Sequence, residues 1–405
     1  MKKIIFAICI LCGYTMILSA KDNTKEPINE YRRSSIYSLM IQHDEQKFAK
    51  DICEVFHQMP VPDKYNNHDL SVKIISVTKQ KIKENDLITD FLTKNEVAGR
   101  LVARWFQRNI ITGECSLNLI KERGLYNASE FDKAMASKST RGLALLEDAG
   151  EDLIGNTFVL VNDIRYIDKE KGSKVVGSIF KIIGTVAAVY TGNSDFADMG
   201  NNVGSLAESY KGFNVKIQTY LYQLVWDEKL ALDFYTKAFT PKEDKSFKSA
   251  FEQMRSNFKL KYIGEQESSG STTSFMGIKL DEPLVMVRKS CQRALDENVA
   301  NLQKNFEDFK VKVPLTSSSP LCAQIGKKEG ITKDSKFEVL EISTNDKDQK
   351  VYKRVGVIEP IKNLIWDNRY MAIEEQADGA TLGKTTFQKI SGKDFYPGML
   401  IREIK

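Results

Sequence analysis

The stretch IGNTFVLVNDIRYID, Ile154 to Asp168, contains an uncharged run, Thr157 to Val161, in which only the first residue is polar. A strand with one wet face alternates apolar and polar residues, so a run this apolar predicts a central strand covered on both faces. The residues before it, Ala128 to Leu153, are rich in Ala, Leu, Glu and Lys and predict a helix feeding into that strand. After it, Phe213 to Val225 places Phe213, Val215, Ile217, Leu221 and Val225 at odd positions with Asn214, Lys216 and Gln218 between them. This alternation predicts a half-buried strand.

Further toward the N-terminus, Ser34 to Phe56 carries Ile36, Leu39, Met40, Phe48, Ile52, Val55 and Phe56 on roughly one helical stripe, stopped by Pro60 and Pro62. A strand is expected at Val72–Thr78. The segment Asn95 to Arg108 sets Val97, Leu101, Val102, Trp105 and Phe106 against Arg100, Arg104 and Arg108, the pattern of an amphipathic core helix.

Toward the C-terminus, a helix is expected over Asp227–Phe239 and a strand over Phe258–Tyr262. The Ser- and Gly-rich Gly264–Ser274 reads as a flexible linker. Val287, Cys291, Leu295, Val299, Leu302, Phe306 and Phe309 recur every three or four residues, the clearest helix in the chain. Lys310–Pro314 reads as an edge strand stopped by proline, and Leu315–Pro320 as a domain boundary. Short strands are then expected at Phe337–Ile342, Val351–Ile358, Leu364–Trp366, Met371–Ile373, Thr386–Ile390 and Met399–Ile404, which together predict a small β-barrel. The expected class is therefore α+β: helices packed on a mixed or antiparallel sheet, followed by a small SH3-like barrel. In residue numbers this gives a signal peptide at 1–20, an α/β envelope-type domain at 21–314 and a barrel at 321–405.

The leader MKKIIFAICILCGYTMILSA orders two lysines, an apolar run from Ile4 to Leu18, and the small pair Ser19 and Ala20. That order predicts export with cleavage near Ala20. The net charge of +5 falls to +3 when Lys2 and Lys3 leave with the leader, too little to point to nucleic acid. Four cysteines remain, Cys53, Cys115, Cys291 and Cys322, and sequence cannot choose among their three pairings. Cys53 and Cys291 fall on apolar helix faces, where buried free thiols are expected.

Chemistry-bearing motifs are scarce. The three histidines, His43, His57 and His68, sit near Asp44, Asp51 and Cys53, but their spacings match no zinc pattern and only His43 and His57 could share a helix. Structural or surface roles are expected for them. Gly379–Thr385 looks like a phosphate loop, yet Asp378 stands where its first glycine belongs and the residues after it favour a strand. A β-turn is expected there. Glu147, Asp148, Glu151 and Asp152 read as one solvated helix face and its end, and Asn127 as a helix cap. No catalytic, cofactor-binding or metal-ligating set emerges.

Lys171–Gly212 holds glycines at 172, 177, 184, 192, 200, 204 and 212, unusual for either helix or strand. Its apolar part, Val175–Tyr190, is broken by Lys181 and too short to cross a bilayer as a helix. The segment reads as a small-residue crossover on the sheet, or as an insert that touches a membrane or a partner.

The order of helix Val97–Arg108, helix to Leu153, strand IGNTFVLVNDIRYID and strand GFNVKIQTYLYQLVWDE resembles the α/β module of the curli-secretion lipoprotein. The run IGKKEGITKDSKFEVLEI with VYKRVGVIEPI is similar to the small barrel ending the flagellar outer-membrane assembly protein of the T type. The whole resembles uncharacterised exported proteins of Bacteroidetes. Two departures matter: Lys21 stands where the lipoprotein has a lipidated cysteine, and Val175–Tyr190 lacks the alternation of pore hairpins. The resemblance implies no active-site residues.

The expected function is a non-enzymatic scaffold or assembly component of the cell envelope, periplasmic or at the outer surface, that binds envelope proteins and no nucleic acid. Two alternatives stand beside it. One is a hydrolase or carbohydrate-acting enzyme whose carboxylates meet only in the fold. The other is a protein that touches a membrane through Lys171–Gly212.

Overall fold

Strand β1 (Ser34–Gln42) is the hub of the first body, hydrogen-bonded in parallel to β2 (Tyr65–Asn67) and β3 (Ile74–Ser76) along one side and to β4 (Thr157–Tyr166) along the other. The computed structural model describes residues 34–76, 84–126, 150–167, 211–274, 283–344, 350–372 and 382–404. The leader, nearly all of the Ala128–Leu153 helix, residues 171–210 of the glycine-rich insert and Gly379–Thr381 lie outside the described residues.

β4 pairs antiparallel with β5 (Lys211–Leu224), and β5 with β6 (Leu260–Ser274), so the sheet is mixed with order β2-β1-β4-β5-β6. Helices cover both faces. Tyr37, Leu39, Ile41, Val159, Val161, Tyr220 and Tyr222 pack against α2 (Glu84–Lys94), α3 (Val97–Trp105), α4 (Asn118–Tyr126), α5 (Glu228–Lys237) and α6 (Lys245–Met254). On the opposite face, Ile36, Met40, Leu160, Ile217 and Leu221 meet α1 (Ala49–Gln58) and α7 (Pro283–Asn305).

This double cover confirms β4 as a buried central strand and corrects three expectations. Ser34–Gln42 is strand and not helix: with both faces buried it has no wet side to reveal a period of two, and Ile36, Leu39 and Met40 mimic a helical stripe. The helix begins only at Ala49, so His43 and His57 do not share one. β5 is wet on its second face only around the exposed Lys216 and the half-buried Gln218; Asn214, expected to be polar and outward, is buried, and Tyr220, Tyr222 and Leu224 pack into the first core.

The third correction concerns Gly264–Ser274, which is the outer strand β6 and not a linker. Its small residues admit α7: a Cβ on Gly270 would stand 2.1 Å from the Ser290 carbonyl oxygen, and one on Gly264 2.3 Å from the Phe306 ring. Ser268 Oγ donates to the Ala294 carbonyl at 2.7 Å, fastening the strand to the helix. Composition that suits a loop here serves close packing.

The second body is a closed antiparallel barrel of β7 (Val313–Ser318), β8 (Leu321–Ala323), β9 (Lys336–Thr344), β10 (Lys350–Pro360), β11 (Thr385–Gly392) and β12 (Leu400–Ile404), in ring order β10-β11-β8-β7-β12-β9. Leu315, Ala323, Phe337, Val339, Ile358, Phe387 and Ile401 fill it. Its first strand starts at Val313 and contains Pro314, paired with Leu400, so Lys310–Pro314 is not stopped by its proline. Leu315–Pro320 is accordingly strand and turn and not a boundary between bodies. Leu364–Trp366 is not a strand; it continues out of a 3-10 turn at Lys362–Leu364, and Met371–Ala372 is likewise outside any strand.

Helix α7 joins the two bodies. Arg293 donates to the Tyr370 carbonyl at 2.9 Å, and Lys304 Nζ to the Gly330 carbonyl at 2.8 Å. Lys328 Nζ, on the barrel's 3-10 turn Lys327–Glu329, reaches Asp63 Oδ2 at 3.1 Å, and Arg402 pairs with Glu307. Val311, between them, packs against both cores.

Candidate functional site

Polar residues occupy the middle of the α7 face. Asn162 Nδ2 donates to Ser38 Oγ at 3.0 Å and to the Leu39 carbonyl at 2.9 Å, while Asn162 Oδ1 accepts from Thr219 Oγ1 at 2.8 Å. Asn298 Nδ2, from α7, reaches Thr219 Oγ1 at 2.8 Å and the Ile217 carbonyl at 3.1 Å. The row crosses β1, β4 and β5 and fixes the register of helix on sheet.

At one end of this row the cover opens. Helix α1 stops at Gln58 and Pro60-Val61-Pro62 carry the chain away, leaving a cleft over β1 and β4 walled by Phe56, Met59, Leu160, Leu295 and Val299. Ser38, Asn67, Asp69, Lys73, Asn162, Gln292 and Asp296 supply its polar atoms. It holds about 60 Å³, room for a few waters or the tip of one side chain, against the roughly 300 Å³ or more of a small-molecule site. A smaller hollow beyond Asp296 is lined by Asp63, Lys64, Tyr65, Gln303, Lys328 and Glu329, so the site lies on the seam between sheet body and barrel.

Asp296, with Pro62 and Val299, forms the wall the two hollows share. Asp296 is 6% exposed; Oδ1 accepts from Gln292 Nε2 at 3.1 Å, and Oδ2 has no hydrogen-bond partner among the described residues. Burial pushes its carboxyl up to about 7 against the charge of Lys328 and the Gln292 bond, and the charges of Glu329 and Asp63 add to the rise. Near neutral pH this acid changes between donor and acceptor. Asp69, in the same cleft, is ion-paired with Lys73 at 3.5 Å.

The histidines fall into three settings. His57 is exposed on α1. His43 Nε2 lies 2.6 Å from Asp163 Oδ1 at the carboxyl ends of β1 and β4. Burial pushes the Asp163 carboxyl up, but hydrogen bonds from His43 and Arg165 outweigh it and hold the group below its ordinary value. His68 belongs to a buried knot in which Arg123 Nη1 donates to His68 Nδ1 at 2.9 Å and to Ser35 Oγ at 2.8 Å, and its guanidinium stacks on Trp105 at 4.4 Å. His68 Nε2 in turn donates to the Leu101 carbonyl at 3.0 Å. Burial and the Arg123 charge push His68 well below its ordinary value, a neutral imidazole built into the fold.

Among the described residues no group of three or more His, Cys, Asp or Glu side chains is placed to hold a metal ion. The four described cysteines are free thiols; Cys115, Cys291 and Cys322 are buried, and burial alone pushes Cys291 up to about 12. Thr385–Gly392 is strand β11, the strand expected after the Gly379–Thr385 stretch, while the β-turn expected there falls largely on Gly379–Thr381, outside the described residues. No helix among the described residues is long and apolar enough to cross a membrane.

The chain matches no protein-family model and no curated protein. Its site therefore has to be read from its own geometry. Sequence reasoning did not single out Asp296: as one charged residue on the polar side of an amphipathic helix it looks solvated, and only the docking of the Pro60–Asp63 loop and the barrel turn buries it.

Proposed function

We propose that this protein is a non-enzymatic exported scaffold or assembly component of the cell envelope, which binds another protein at the seam between its sheet body and an SH3-like barrel. The observation that carries this reading is the cleft itself: mostly apolar, too small for a substrate, rimmed by Pro60-Val61-Pro62 and set where α7 joins the two bodies. A rigid frame with a shallow greasy depression and a few polar anchors suits recognition of a protuberant side chain. Export and envelope placement rest on the leader Met1–Ala20 and on the resemblance to curli-secretion and flagellar-assembly modules. Affinity capture from envelope fractions tests the reading: a specific partner lost on Val61→Glu supports it, and absence of any specific partner contradicts it.

A second reading, acid-assisted hydrolysis, draws on the same cleft. Asp296 is an acid that stays protonated up to about pH 7, and Asp69 beside it is a carboxylate paired to Lys73. The space of about 60 Å³ disfavours a sugar ring. Hydrolysis of an envelope glycan by the wild type, lost in both Asp296→Asn and Asp69→Asn, would establish this reading over the first.

A further inference from the structure

Asp296 Oδ2 is a buried carboxylate oxygen with no hydrogen-bond partner among the described residues, and Asp296 lines the cleft. Such an atom is costly to bury unless something arrives to meet it. The hollow beyond Asp296 carries Asp63 and Glu329 against Lys64 and Lys328, with Lys328 bonded to Asp63 at 3.1 Å, so an ionised Asp296 adds one negative charge that these cations do not match. In the cleft itself Asp69 is matched by Lys73. Asp296 therefore lines a pocket that is one positive charge short when its carboxyl is ionised, beside walls of Phe56, Met59, Pro60 and Leu295.

We infer that the cleft receives a lysine side chain of the protein partner, its methylene stem along the apolar wall and its ammonium on Asp296. The inference rests on the protein-binding reading above and names the chemistry recognised. Three features favour lysine. Lysine joins an aliphatic stem to a compact charge, matching an apolar channel that ends in one acceptor. Arginine's planar fork calls for paired acceptors, and only one carboxylate oxygen is free. A divalent metal would need more oxygen ligands than this group of described residues brings together.

Protonation gives the site a pH dependence. The ammonium needs ionised Asp296, whose carboxyl titrates at about 7, so binding weakens about tenfold per pH unit below that point. Lys328 and Glu329 from the barrel turn, Asp63 from the loop after α1, and Gln292 on α7 are the groups that set this midpoint.

The test is an NMR titration of the full chain with Nα-acetyl-lysine methylamide, its norleucine counterpart and Ca²⁺. The expected result is saturable binding of the lysine amide at pH 8, at least tenfold weaker at pH 6, for norleucine and for Asp296→Asn. Equal binding of lysine and norleucine, undiminished binding by Asp296→Asn, or displacement by millimolar Ca²⁺ would overturn the inference. Should Asp296→Asn fail to fold, Val61→Trp at the rim provides the second variant and must also abolish binding. Capture of the same envelope partner by wild type and Asp296→Asn removes this inference and leaves the scaffold reading standing. Binding of the lysine amide with no partner captured removes the scaffold reading and leaves the ammonium site.

Discussion

Gln292 Nε2 donates to Asp296 Oδ1 at 3.1 Å across one turn of α7, and this bond leaves Oδ2 of the same carboxylate unmet. The consequence is a stability that depends on pH. Unfolded, the carboxyl titrates at its ordinary 3.8; folded, at about 7. Between those values the folded chain holds the extra proton, so the Asp296 contribution is full below pH 3.8 and is lost as pH rises to about 7. At about 1.4 kcal/mol per tenfold change in proton affinity, the loss is on the order of 4 kcal/mol. Asp296→Asn is expected to remove that slope and to raise stability at pH 8 by about 2–4 kcal/mol. Urea unfolding at pH 5 and pH 8 checks it, and parallel pH profiles for the two proteins would refute the assignment.

Lys328 is the cation that lowers the Asp296 carboxyl, and Lys328→Met is expected to move its titration above 7. Carboxyl-carbon NMR of Asp296 reads the midpoint directly. An unchanged midpoint would mean that the barrel turn does not face α7 as described.

The His68–Arg123 pair works with the opposite sign. His68 is depressed, so its contribution is full above the ordinary imidazole value of 6.5 and is lost as pH falls below it. In the Asp296→Asn background, where the opposing carboxyl is gone, stability should fall below pH 6.5 by up to about 1.4 kcal/mol per pH unit. His68→Gln in that background should flatten the profile, and a slope that survives would assign the proton elsewhere.

Gly270 and Gly264 separate two kinds of crowding. A Cβ at Gly270 meets backbone, the Ser290 carbonyl oxygen at 2.1 Å, whereas one at Gly264 meets the Phe306 ring, a side chain that can turn. Gly270→Ala is expected to cost about 3 kcal/mol or more, and Gly264→Ala about 1–2 kcal/mol. Thermal unfolding of both variants gives the order; the reverse order would contradict the packing of β6 under α7.

The four thiols offer a simple check on the core. Cys53 is partly exposed and Cys115, Cys291 and Cys322 are buried, so iodoacetamide should modify Cys53 first and the other three only on unfolding. Mass spectrometry of the native protein should show no disulfide among them.

The sequence carries much of this fold where one face is wet. The period of α7 is readable because its apolar residues recur every three or four positions among charged ones, even though Lys289, Gln292 and Asp296 on the other positions are buried, and the barrel strands β9, β10, β11 and β12 stand out by alternation between turns. What is hidden is hidden by burial: β1 loses its alternation because both faces are covered, and β6 looks like a linker because α7 needs Gly264, Ser268 and Gly270 beneath it. The candidate site is harder still to read. Asp296, Asp63 and Lys328 are distant in sequence and surface-like by type, and only the docking of the barrel turn on α7 makes a site of them.

The central claim, that the seam cleft is a protein-recognition surface, is tested most directly by placing a photo-crosslinking amino acid at Val61 and irradiating the full chain in envelope fractions. A discrete cross-linked partner, absent when the same group is placed on the exposed Lys94 of α2, is the result expected. Identical labelling from both positions, or none from Val61, would contradict the claim.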